Sequence, residues 1–113
     1  MRTNQAVLAM PAFDDKIRAH FSSRLISRGA VVASFSPNEF RFVLLHLVKL
    51  NCVVSKEMIL EQVWGDREDG GPEQIDRIIN VMKYNMRPKL ASIGLDLSTV
   101  WGRGTVLTDT RGA

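Results

Sequence analysis

The chain has 113 residues, 45% of them hydrophobic and 24% charged, with a formal net charge of +3. That is room for one domain with one core, and it excludes a second domain of ordinary size. No apolar run approaches the roughly 18 residues that a membrane span needs, because Lys49 interrupts the longest, "FVLLHLVKL"; the one cysteine, Cys52, excludes an internal disulfide and a cysteine zinc knuckle.

Residues 1 to 15 lack a sustained period and end in "FDD", so they read as a tail, with Asp14 and Asp15 a solvated pair. The apolar patch after Arg2 is too short and too poorly organised for a secretory signal. A single domain is expected over residues 16–108. Its first pieces, "IRAHF", "RLIS" and "AVVASF", read as short strands with a turn at Arg28-Gly29. Strands this short need a helix to cover their apolar face.

"FSPNEF" is the clearest helix start in the chain. Ser36 suits the N-cap, Pro37 the first helical position, and Glu39 completes a capping box. Phe40, Val43, Leu44, Leu47 and Val48 then recur at helical spacing, which predicts a core-facing stripe and an end near Asn51. Cys52, just beyond, reads as a small buried hydrophobe.

Ser55 can cap a second helix in which Ile59, Leu60, Val63 and Trp64 recur one turn apart, and Gly65 stops it. "GDREDGGP" is polar and glycine-rich, hence a loop, with Pro72 placed to open a third helix. In that helix Ile75, Ile79, Met82, Met86 and Leu90 form a continuous core stripe, and Pro88 predicts a kink or an early end. "SIGLDLSTVW" and "TVL" read as two strands joined at "GRG", and "TDTRGA" as a frayed terminus, with residues 109–113 outside the domain.

Charge is unevenly placed. From Ser55 to Asp76 seven acidic residues face two basic ones, whereas from Arg77 to Ala113 six basic residues face two acidic ones. The side of the third helix opposite its stripe carries Glu73, Arg77, Asn80, Val81, Tyr84 and Arg87. A face of arginine, asparagine and tyrosine can donate to phosphates and read base edges in a major groove. A solvated polar face is the competing reading of the same wheel.

Chemistry of other kinds finds no support. His20 and His46 have no acid or thiol at motif spacing, and no phosphate loop, nucleophile elbow or zinc spacing occurs. No enzymatic activity, catalytic residue, metal site or cofactor is expected, and His46, between Leu45 and Leu47, reads as a packed or partly exposed histidine. A reducing compartment follows from cysteine usage, so a cytoplasmic, nucleoid-associated protein is expected.

Three short strands, three helices with an acidic loop before the third, and a closing hairpin resemble the OmpR/PhoB-type winged-helix DNA-binding domain of bacterial response regulators. The resemblance lies in "FSPNEFRFVLLHLV", "VVSKEMILEQVWGD", "IINVMKYNMRPKL" and "STVWGRG", in that order, and spans about Arg24 to Thr108. It implies an α+β fold: a winged helix-turn-helix with a small N-terminal antiparallel sheet, three helices and a C-terminal β-hairpin wing. No receiver domain fits in the residues before Ser36.

The resemblance further implies that the third helix enters the major groove of double-stranded DNA and the wing the adjacent minor groove. The DNA-binding candidates are then Arg77, Asn80, Val81, Lys83, Tyr84, Asn85 and Arg87 on the helix, with Thr99, Trp101 and Arg103 on the wing. Met82 is also implied at the recognition surface, against the stripe, which buries it. Thr105 and Val106 replace an aromatic and an arginine usual after the wing turn. The loop residues Asp66, Arg67, Glu68 and Asp69 become candidates to touch RNA polymerase. The leading expectation is a sequence-specific transcriptional regulator from a bacterium or its virus, with a homodimer as a candidate state. The alternative is a winged-helix interaction module that binds RNA polymerase or another regulator.

Overall fold

A computed structural model describes residues 16–65 and 74–111. Strands β1 (Ile17–His20), β2 (Leu25–Arg28) and β3 (Val31–Ser34) form an antiparallel sheet in sequence order. Helices α1 (Pro37–Val48), α2 (Lys56–Trp64) and α3 (Ile75–Ser92) follow, with the two-residue strand β4 (Val53–Val54) between the first two. The chain closes with β5 (Leu95–Val100) and β6 (Gly104–Asp109), which pair with each other and with β4 in the order β4-β6-β5. This is the expected α+β winged helix-turn-helix.

Helix α1 starts where the sequence predicts. The Glu39 amide donates to Ser36 Oγ at 3.3 Å and the Ser36 amide to Glu39 Oε1 at 3.0 Å, a complete capping box that contributes about 1 kcal/mol. Ser55 caps α2 through its hydroxyl alone, which accepts from the Met58 amide. Ile26, Phe40, Val43, Ile59, Val63, Trp64, Met86, Leu90, Leu95 and Leu107 are buried together, so one core joins the helices to both sheets.

Several local expectations are corrected. The buried arc of α1 runs through Phe40, Phe42, Val43 and His46, and this rotation leaves Val48 84% exposed rather than in the core. The helix ends at Val48 instead of near Asn51; the Cys52 amide donates back to Lys49, and the turn points Cys52 outward, so the thiol is exposed. Gln74 holds non-helical angles, so α3 opens at Ile75; Pro72 lies outside the described residues.

Pro88 neither stops nor shortens α3, which continues to Ser92. Tertiary contact overrides the local conflict: Leu90 and Ile93 are fully buried, Lys89 pairs with Glu39 at 3.4 Å, and its ammonium lies 5.3 Å from the Phe35 ring centroid. Pro88 and Tyr84 are both exposed, so the missing amide falls on the solvent side, where a lost helical hydrogen bond costs least.

The domain also extends past Thr108. Strand β6 runs to Asp109, whose carboxylate takes two 2.8 Å hydrogen bonds from Arg28, a guanidinium only 4% exposed at the end of β2. Arg28 Nη1 also donates to the Ile93 carbonyl, and Thr110 donates to the Gly94 carbonyl through its amide and its hydroxyl. A clamp between the two sheets thus stands where a frayed terminus is expected.

Candidate nucleic-acid interface

Helix α3 is two-sided. Ile75, Ile79, Met82, Met86 and Leu90 are buried as predicted, which settles Met82 in favour of the stripe and against the recognition surface. Arg77, Asn80, Val81, Tyr84, Asn85 and Arg87 are exposed; Val81 is 52% and Tyr84 76% accessible. The stripe packs on β3 and β5, and this is what turns the opposite face outward.

Lys83 departs from the set. It is only 4% exposed, and its ammonium donates to the Thr99 hydroxyl on β5. Burial and the nearby Arg87 lower its pKa from the ordinary lysine value. Arg87 is itself tethered, donating through Nε and Nη2 to the Leu97 carbonyl at 3.4 and 3.3 Å. Both cations bind α3 to the first strand of the hairpin.

The hairpin β5–β6 turns at Trp101–Arg103 and is closed by the Arg103 amide donating to the Val100 carbonyl at 2.9 Å. Trp101 is 93% exposed. The indole shows its faces to solvent, although tryptophan ordinarily finds a core. Between this hairpin, the start of α2 and the start of α3 lies a cleft of about 540 Å³, lined by Lys56, Asn80, Lys83, Thr99, Trp101 and Arg103 among others. Asn80 on α3 and the aromatic-cation tip of the hairpin therefore flank one opening.

The floor of the cleft contains a polar chain that no sequence motif announces. Thr99 and Thr105 are cross-strand partners on β5 and β6. Thr99 accepts from Lys83, and Thr105 Oγ1 lies 2.5 Å from Nε2 of His46, which is wholly buried. His46 Nδ1 is 2.8 Å from the Phe42 carbonyl, and its ring is tilted against that of Phe42 with centroids 4.4 Å apart. Burial, aided by Lys83, lowers the imidazole pKa from its ordinary 6.5, against the raising effect of the Phe42 carbonyl. The missed signal is a histidine at a core position of an amphipathic helix.

Asp66, Arg67, Glu68 and Asp69 lie outside the described residues. No helix among the described residues is long and apolar enough to cross a membrane.

Residues 31–107 match the family described as the C-terminal domain of transcriptional regulatory proteins. Among solved structures, the C-terminal domain of the nisin resistance regulator NsrR, a lantibiotic response regulator, is 31% identical; the alignment covers 82% of this chain and 92% of that one, with a TM-score of 0.66. The DNA-binding domain of Bacillus subtilis CssR is 24% identical over 81% of this chain and 99% of its own, with a TM-score of 0.61. That of Klebsiella pneumoniae RstA, solved in complex with the RstA box, is 16% identical over 85% and 94%, with a TM-score of 0.62. The last two share the fold. No curated protein sequence matches.

Proposed function

This chain belongs to the family of transcriptional regulatory protein C-terminal domains, and from that membership we propose that it is a sequence-specific regulator acting at the nucleoid, with α3 in the major groove and the hairpin in the adjacent minor groove of double-stranded DNA. The observation that carries the reading is that the outer face of α3 and the Trp101–Arg103 tip are both exposed, with Asn80 of the one and Trp101 and Arg103 of the other lining one cleft. Arg77 and Tyr84 hold backbone phosphates, and Asn80 and Asn85 bond adenine edges. Arg103 enters a minor groove, preferably a narrow A·T-rich one, where the negative potential is strongest.

Selection of bound sequences from a random duplex pool tests the proposal directly. A recovered consensus supports it, and half-sites repeated about one helical turn apart identify a dimer. Binding is expected to weaken steeply with salt, and Arg103→Ala to flatten the salt slope by about one phosphate contact. A protein that shows no salt-sensitive duplex binding by fluorescence anisotropy at micromolar concentration is not this regulator.

Trp101 supplies a separate expectation. An indole 93% exposed packs against nothing that its removal would unsettle. Trp101→Ala is expected to leave the melting temperature unchanged and to weaken duplex binding about tenfold, the usual effect of removing an aromatic contact to nucleic acid. Melting curves and anisotropy titrations of the same preparation check both halves.

A further inference from the structure

His46 is the buried titratable group that the interface itself does not use, and the geometry assigns its proton. A carbonyl oxygen can only accept, so Nδ1, 2.8 Å from the Phe42 oxygen, carries the hydrogen. In the neutral ring Nε2 then presents a lone pair, and the Thr105 hydroxyl donates to it. Thr105 stands opposite Thr99 on the hairpin, and Thr99 accepts from Lys83 of α3. His46 thereby ties α1 to β6 and Lys83 ties α3 to β5, and the backbone pairing of Thr99 with Thr105 connects the two links.

We propose that His46 is a positioning residue for DNA binding: as a neutral imidazole it holds the hairpin beside its turn through Thr105, and its protonation releases the hairpin from its setting against α3. The proposal rests on the DNA-binding reading above for its functional consequence, and on the geometry alone for its structural one. A second ring proton reverses this bond: Nε2 donates, and the Thr105 hydroxyl must turn to accept and point its own hydrogen elsewhere. It also places a cation in a wholly buried site. The charged side chain that acts on the ring is Lys83 from α3, itself beside Arg87. Strands β5 and β6 contribute Thr99 and Thr105, which do not titrate, while Lys56, Glu57 and Asp76 line the cleft outside. A like charge and no carboxylate act on the ring among the described residues.

The direction with pH follows. Because burial lowers the folded-state pKa of His46 below 6.5, the unfolded chain binds more protons in the window beneath that value. The neutral setting is complete above about pH 6.5 and is lost as the pH falls through the lowered value.

The test is duplex binding by fluorescence anisotropy at constant ionic strength, using a labelled random-sequence DNA duplex, together with amide hydrogen-exchange protection of β5 and β6 in the free protein. As the pH is lowered from about 7.5 to the onset of acid unfolding, the natural protein is expected to lose on the order of tenfold in affinity and to lose protection at the hairpin. His46→Gln offers an amide donor and an oxygen acceptor but no titration, so its affinity and protection are expected to match the natural protein at the upper pH and to stay level. Should that variant not fold, Thr105→Val is expected to bind about tenfold more weakly at the upper pH, and Thr105→Ser to bind as the natural protein does.

A hairpin protected equally across the window, or a His46→Gln profile parallel to that of the natural protein, overturns the proposal. A parallel His20 effect is separated by the same comparison, since His20 and His46 are the two histidines of the chain. Loss of hairpin protection on acidification in a protein that binds no duplex at either pH supports the role of His46 and overturns the DNA-binding reading instead.

Discussion

Asp109→Ala is expected to destabilise the protein by about 2 to 3 kcal/mol, because it removes two charge-assisted hydrogen bonds from a guanidinium that is 4% exposed. Arg28 is 4% exposed and meets both carboxylate oxygens at 2.8 Å; Asp109 also accepts from the Arg111 amide at 2.9 Å. The pair itself is worth far less than the penalty for breaking it, since desolvation of both ions offsets most of their attraction. Replacing both partners, Arg28→Met with Asp109→Leu, is therefore expected to recover most of the loss. Urea unfolding of the two single variants and the double variant measures the difference. A double variant no more stable than Asp109→Ala would show that the residues hold the sheets by contacts other than their charges.

Gly104→Ala is expected to cost about 3 kcal/mol or more, from two sources that can be separated. A Cβ at this position would lie 2.0 Å from the Val54 carbonyl oxygen, so β4 and β6 must part to admit it. The backbone, at φ 150°, is also one that side-chain-bearing residues avoid. Gly102, two residues earlier at the tip, has φ 73° but nothing within 4 Å of the same built atom. Gly102→Ala therefore reports backbone strain alone, about 1 to 2 kcal/mol. Urea unfolding midpoints in the order natural, Gly102→Ala, Gly104→Ala are expected, and equal costs for the two alanines would remove the steric account.

What could be read from the chain was what local chemistry decides. The Ser36, Pro37 and Glu39 start of α1 and the Ile75-to-Leu90 stripe of α3 each depend on residues within a turn or two, and both stand as predicted. Strand β4 escaped notice because two residues, Val53 and Val54, are too few to show an alternation; they are a strand only because β6 lies beside them. His46 was legible as a packed histidine but not as a link, since Thr105 is 59 residues away. Arg28 and Asp109 are 81 residues apart, and nothing near either one signals the other. The exposed face of α3 was visible on the wheel, whereas the exposure of Trp101 follows from its place in the turn between β5 and β6. Lys83 shows the limit of a wheel: it lies next to the polar arc, yet its long stem turns the ammonium inward to Thr99.

Helix α3 carries two obligations on two faces of the same turns. Arg77, Asn80, Val81 and Tyr84 are exposed and lie outside the core, while Ile79, Met82, Met86 and Leu90 bind the helix into it. Substitutions on the exposed face can accumulate without loosening the buried one, so the outer surface is free to change while the scaffold that presents it is kept. Renewal of the surface and maintenance of the fold are thus assigned to opposite sides of a single helix.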